Sequence, residues 1–184
     1  MACGRRKASS VPERSITDRL TPRKREIVTE APAPLGEHGA GALPLRALAA
    51  RLGLKAPSLY KHFPDKAALE LELVVLSLEE TAEALEAAAD SLPSLMKAYR
   101  TYALAHPHLY RLNTERSLPR EDLPEGLEAR AAAPLVRVCG GDMNAARAAW
   151  AFAHGMVILQ LNGRFPDDAD LSAAWETGAD AFEG

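Results

Sequence analysis

Residues 43–66 read LPLRALAARLGLKAPSLYKHFPDK, and this stretch decides the fold. Leu45, Leu48, Ala49 and Leu52 recur at the spacing of one helix face. Gly53 supplies the left-handed residue at which such a helix stops, and Leu54 and Lys55 complete a tight connection. A second short helix is predicted from Ala56 to Phe63, with Pro57 tolerated in its first turn. Two short helices joined by Gly-Leu-Lys have the length and punctuation of a helix-turn-helix. Leu59 and Phe63, one turn apart, add to the apolar stripe of the first helix. Ser58, Lys61 and His62 then fall on the outer side, with Tyr60 at its edge. Side chains of these types can reach a major groove or a phosphate. The same pattern also suits an ordinary helical hairpin with a solvated polar face.

The charge around this stretch favours the first of those readings. The chain of 184 residues carries a net −3, but unevenly. Residues 1–66 hold thirteen Lys and Arg against six Asp and Glu, a net +7, and residues 67–184 carry −10. Such an asymmetry points to an N-terminal part that meets a polyanion and a C-terminal part that does not. With 47% apolar, 26% charged and only 5% aromatic residues, the composition is that of a globular, Ala-rich, helical chain. Cys3 and Cys139 cannot build a disulfide framework. No apolar stretch follows the basic Arg5, Arg6 and Lys7 as a signal peptide requires. The nearly apolar run Ala148 to Leu161 is too short and too polar to span a bilayer. A cytoplasmic protein is expected.

Outward from the motif, every periodic segment is helical. Residues 1–20 show no apolar period and read as a disordered basic arm. Thr21 can cap a helix that opens on Pro22 and breaks near Ala31, where Pro32 and Pro34 interrupt it. After Asp65 a long helix is expected to about Asp90, with Leu69, Leu73, Leu76 and Leu85 set against Glu70, Glu72, Glu79, Glu80, Glu83 and Glu86. The next begins at Ser91 and Pro93 and carries Leu95, Tyr99, Tyr102 and His106 on one face. Pro107 to Leu112 is expected to be a short turn and 113–124 a loop. Leu127–Val138, Asp142–Asn162 and Leu171–Phe182 complete the set. The predicted fold is all-α, with a helix-turn-helix unit at 21–66 and a helical domain at 67–184.

The motif also resembles the N-terminal DNA-binding domain of TetR-type transcriptional regulators. In that family a Leu-Tyr-x-His-Phe string closes the recognition helix, and a short turn with Lys leads into a long linking helix. Leu59-Tyr60-Lys61-His62-Phe63 and Pro64-Asp65-Lys66 match it. The stretches AYRTYALAHPHLYRL (98–112) and WAFAHGMVILQLNGRF (150–165) look like ligand-domain segments of one branch of the family. The resemblance implies that Ala56, Pro57, Ser58, Lys61 and His62 face the groove and that Tyr60 and Lys66 meet phosphates. It sets Arg46 near the start of the motif's first helix, and Lys55 belongs with this DNA-facing set. The chain departs from the family at Pro44, where a capping Ser or Thr is usual, and at Pro32 and Pro34, where the first helix normally runs on to the Gly near position 39.

The resemblance implies a homodimer built from the two C-terminal helices, bound to a double-stranded operator, with no cofactor. A helix apolar on most sides, such as Ala145–Asn162, must be buried on all of them. Its Ala148, Ala149, Ala151, Ala153 and Gly155 permit close approach of a partner helix. Met96, Tyr99, Tyr102, Tyr110, Trp150, His154 and Met156 are the candidates for an effector pocket, although such residues also serve as plain core. His106, His108 and His154 have no second metal ligand four residues away, so no metal site is expected. The leading reading is a ligand-responsive transcriptional regulator, most often a repressor. The alternatives are a DNA binder of the same fold with an architectural role, and an all-α enzyme. The enzyme reading lacks a Gly-rich phosphate loop, zinc spacing and a paired acid and base.

Overall fold

The structure, a computed structural model, describes residues 19–33 and 45–182. Residues 1–18 of the basic arm, together with Pro34, Gly39 and Pro44, lie outside the described residues. Residues 19 and 20, read from the sequence as part of a disordered arm, instead join the fold: Arg19 pairs with Glu72 at 3.2 Å and Leu20 is buried.

The described helices are α1 (Pro22–Glu30), α2 (Leu45–Arg51), α3 (Ala56–Leu59), α4 (Lys66–Ala87), α5 (Leu92–Ala105), α6 (Pro107–Thr114), α7 (Leu127–Val138), α8 (Met143–Leu161) and α9 (Leu171–Asp180). A 3-10 turn at Arg120–Asp122 precedes α7, and no strand occurs among the described residues. Most starts follow from a capping side chain. Asp65 accepts from the Ala68 amide at 2.8 Å, Ser91 from Ser94 at 3.3 Å, and Asp142 from Asn144 and Ala145 at 2.7 and 3.2 Å. Each such cap is worth about 1 kcal/mol. α1 stops at Glu30 with Ala31 as its cap, directly before Pro32, where the break is expected.

Three elements differ from expectation. α3 is one turn long, and residues 60–63 continue as hydrogen-bonded turns in which the His62 and Phe63 amides both donate to the Leu59 carbonyl. The segment after Pro107 is a helix rather than a turn, because Pro at the first helical position starts a helix as readily as it ends one. On α4, Glu79 and Ser77 are buried while Leu76 is only half-buried, so the inner face is not the plain Leu stripe.

The core forms two clusters. The first joins Ile27, Val28, Leu48, Ala49, Leu59 and Phe63 to Leu69, Leu73 and Val75 of α4, Leu109 of α6 and Leu127 of α7. The second gathers Leu92, Leu95, Met96, Tyr99 and Ala103 of α5, Ala149, Ala153 and Val157 of α8, and Trp175 and Ala179 of α9. α4 contributes to both and packs on α1, α5, α6 and α7, which makes it the spine of the molecule.

α8 is not buried on all sides within the chain. Its small residues divide: Ala149 and Ala153 sit in the intrachain core, whereas Ala148 and Ala151 are exposed, and no atom stands within 4 Å of a Cβ built on Gly155. Met143, Trp150 and Leu159 of the same helix are exposed as well. On the α9 side the Phe152 ring lies on Gly178, where an added Cβ would come within 1.9 Å of it, and meets Trp175 edge-on at 5.8 Å.

Candidate functional site

The recognition turn is built on two buried anchors. Leu59 and Phe63 are 2% and 3% exposed, and Lys24 of α1 lies over the Phe63 ring at 5.4 Å from its centre. With those residues turned inward, Pro57, Tyr60 and Lys61 are exposed, and Ala56, Ser58 and His62 are half-buried at the rim. Arg46 and Lys55 are exposed on α2 and at the start of α3. Among the described residues no side-chain bond ties up Arg46, Lys55 or Lys61. Lys66, the first residue of α4, is the exception, pairing with Glu70 at 3.1 Å. Glu70 also holds Arg116, from the connection after α6, at 2.9 Å. One carboxylate on α4 thus touches both the recognition end and the second half of the chain. The Lys66–Glu70 half of that link is an i,i+4 pair that helical spacing shows, whereas the Arg116 contact, which no local spacing encodes, is absent from the sequence-based site.

The effector candidates fall into two groups. Tyr99, Tyr110, Trp150 and His154 converge from α5, α6 and α8. The Trp150 indole Nε1 donates to Tyr99 Oη at 3.2 Å, Tyr99 and Tyr110 share a hydroxyl hydrogen bond at 2.9 Å, and Tyr110 Oη meets His154 Nδ1 at 2.7 Å. The Tyr99 and Tyr110 rings meet edge-on at 5.8 Å. The Tyr110, His154 and Trp150 rings follow one another at 5.8 and 5.9 Å. Burial raises the pKa of both tyrosines and lowers that of His154, against the smaller opposing effect of Glu115 on the histidine. Met96 lies in the same apolar cluster, and Met156 packs at its edge.

Tyr102 belongs elsewhere. Three residues after Tyr99 on α5, it turns to α4, donates to Glu80 Oε2 at 3.1 Å and shares a hydroxyl hydrogen bond with Ser77 Oγ at 3.2 Å. Asn113 of α6 also donates to Ser77, at 3.3 Å. Burial is the main cause of the raised pKa of Tyr102. Ser77, Glu80 and Asn113 were not among the predicted site residues. The available signal was Ser77 itself, a polar residue one turn beyond Leu73 on the inner face.

Residues 27–73 match the family described as bacterial regulatory proteins, tetR family, and residues 92–182 match the tetracyclin repressor-like C-terminal domain. The chain is 31% identical over 167 residues to an uncharacterized HTH-type transcriptional regulator of Mycobacterium tuberculosis, covering 83% of this chain and 76% of that one. Among solved structures it is similar to SCO4313, described as a regulatory protein, with a TM-score of 0.70 and 26% identity over 87% of this chain and 94% of that one. It is also similar to a protein of unknown function from Rhodococcus sp. RHA1, with a TM-score of 0.68 and 25% identity over 96% and 97% of the two chains. The outward-facing recognition turn, the linking α4 and the matches to both halves lead to one assignment: the chain belongs to the TetR family of transcriptional regulators, with an N-terminal helix-turn-helix DNA-binding domain and a helical C-terminal domain.

Proposed function

We propose that the protein is a ligand-responsive repressor that acts in the cytoplasm as a homodimer on a pseudo-palindromic operator. The observation that carries this reading is the division of the recognition turn. Leu59 and Phe63 are consumed by the core, which leaves Ser58, Tyr60, Lys61 and His62, with Arg46, Lys55 and Lys66, as the surface towards DNA. Ala56 and Pro57 complete it at the start of α3, as apolar groups of the kind that meet a thymine methyl. The division into a DNA-binding unit at 21–66 and an effector and dimer unit at 67–184 belongs to the same reading.

A single helix-turn-helix reads few base pairs, and a two-fold pair reads two half-sites about 34 Å apart. The open face of α8 supports pairing through the C-terminal helices, since Ala148, Ala151 and Gly155 present small groups beside exposed Leu159. The effector would be held where Tyr99, Tyr110, Trp150 and His154 converge, with Met96 and Met156 as apolar lining and Tyr102 outside the group.

The test is a footprint on the DNA upstream of the protein's own gene, followed by binding to one and two half-sites at several salt concentrations. Repressor function requires a discrete protected site, tighter binding to the paired half-sites, and affinity that falls steeply with salt. Diffuse protection of any duplex would instead indicate an architectural role. Equal affinity for one and two half-sites, or an Ala151→Arg variant that still sediments as the wild type does, would remove the α8 dimer.

A further inference from the structure

The order of donors in the aromatic chain determines the state of its last member. An indole N–H can only donate, so Tyr99 Oη accepts from Trp150. Tyr99 is buried, and the hydroxyl acceptor within reach of its own proton is Tyr110 Oη. Tyr110 in turn gives its proton to His154 Nδ1. The chain runs consistently only when His154 is neutral, with its proton on Nε2. In the reverse order an imidazolium donates to Tyr110 and Tyr110 to Tyr99. Tyr99 would then accept twice while its own buried proton found no acceptor, a costly arrangement. The end of the chain is therefore one unspent donor, His154 Nε2–H, for which no described residue supplies an acceptor.

We propose that this Nε2–H is the polar contact for the effector, and that the effector is an uncharged, flat, largely apolar molecule bearing a hydrogen-bond acceptor such as a carbonyl oxygen. The inference rests on the effector-site reading above and specifies its ligand class. Three features of the site select that class. The Tyr110, His154 and Trp150 rings are tilted by only 34° and 31° along the row, a surface suited to a flat body. Trp150 is 49% exposed, so the row ends in an apolar face still open to a ligand. The charged groups that bear on the row, Arg111 on Tyr110 and Glu115 on His154, pair with each other, and Arg111 also holds Asn162. An ionic ligand would lose its hydration without gaining a free counter-charge from this pair.

The experiment uses the full chain with its histidines labelled with ¹⁵N, titrated with acetophenone, ethylbenzene and benzoate, three probes of similar shape. The expected spectrum of the free protein shows His154 as the neutral tautomer protonated at Nε2. Acetophenone shifts that nitrogen and binds about tenfold tighter than ethylbenzene, the worth of one hydrogen bond, with benzoate weakest. In His154→Phe the preference for acetophenone over ethylbenzene disappears. A protonated imidazole or an Nδ1–H tautomer at neutral pH, equal binding of acetophenone and ethylbenzene, or stronger binding of benzoate would each overturn the proposal. No binding of acetophenone up to its solubility limit would overturn it as well. Should His154→Phe fail to fold, the tautomer and the wild-type probe order still decide. Failure of the effector reading looks different: acetophenone binds in the expected order, yet operator affinity at saturation does not change. That result would support the contact and remove its regulatory meaning.

Discussion

At the recognition turn polar side chains look outward from a small apolar base, whereas on α5, α6 and α8 they look at one another across a core. Arg46, Lys55 and Lys61 have no side-chain partner among the described residues. Tyr99, Tyr110, Trp150 and His154 spend their hydrogen bonds within the group, with one donor left over. The difference teaches how to separate folding from recognition. Polar groups without internal partners can be removed at little cost to stability, because water already solvates them. Polar groups that satisfy one another inside cannot, because deletion of one strands its neighbour.

The contrast breaks most visibly at the anchors. Phe63→Ala should cost about 3–5 kcal/mol in thermal or urea unfolding, since a ring only 3% exposed leaves a cavity. An unchanged melting temperature would show that the recognition turn does not depend on this anchor. In the second cluster Gly178→Ala should cost about 1–3 kcal/mol by overpacking, because the new Cβ falls 1.9 Å from the Phe152 ring. Near-ultraviolet circular dichroism should register the displaced ring, and an unaltered signal would contradict the tight α8–α9 crossing. Tyr110→Phe removes one oxygen and should still cost about 1–3 kcal/mol, since Tyr99 and His154 both lose a partner. If that variant proves as stable as the wild type in urea, the aromatic chain is not internally satisfied.

Lys61→Ala sharpens the comparison from the other side. Stability should stay within about 0.5 kcal/mol, while operator affinity falls and its dependence on salt weakens by about one counterion. Loss of stability without loss of affinity would reverse the assignment of this face. The smallest effect is the response to acid. In the folded protein the His154 pKa lies below the ordinary 6.5, chiefly through burial. On acidification the unfolded chain therefore binds the proton first. The histidine's contribution to stability is complete above about pH 6.5 and is lost as pH falls below that value. Of the groups facing it, Tyr99, Tyr110 and Trp150 do not titrate there, and Glu115 is paired with Arg111. Unfolding in urea at several pH values, with His154→Phe as reference, should show a shallower acid slope in the variant. Identical slopes would exclude His154 as the source.

Much of the fold was legible because its helices announce their own starts. Asp65, Ser91 and Asp142 cap α4, α5 and α8 where the sequence indicates, and Gly53 takes a positive φ of 65° at the end of α2. The anchors of the recognition turn were legible as well, since Leu59 and Phe63 fall one turn apart on a short amphipathic segment. α8 resisted for the opposite reason. Apolar on most sides, it offers no moment to orient it, so the split between Ala149 and Ala153 inside and Ala148 and Ala151 outside depends on its neighbours. Glu79 stands among the glutamates set against the Leu positions of α4, yet it is buried. Tyr102 and Tyr99 look like members of one stripe, but three residues turn a helix by less than a full circle, and Tyr102 faces α4 instead. Hydrogen bonds among α5, α6 and α8 require the relative placement of three helices, which no local pattern encodes.

α4 has a mechanical consequence. Its 22 residues contain neither Gly nor Pro, so it has no hinge of its own. Its first residue, Lys66, follows directly on the recognition turn, and its later turns join the second core cluster through Leu85. At 1.5 Å per residue the helix is a rod of about 33 Å. A tilt of about 5° around its far end swings the first turn through an arc of about 3 Å, comparable with the spacing between neighbouring base pairs. Displacements too small to disturb packing at one end of such a rod are large enough at the other to put a side chain out of register with a groove.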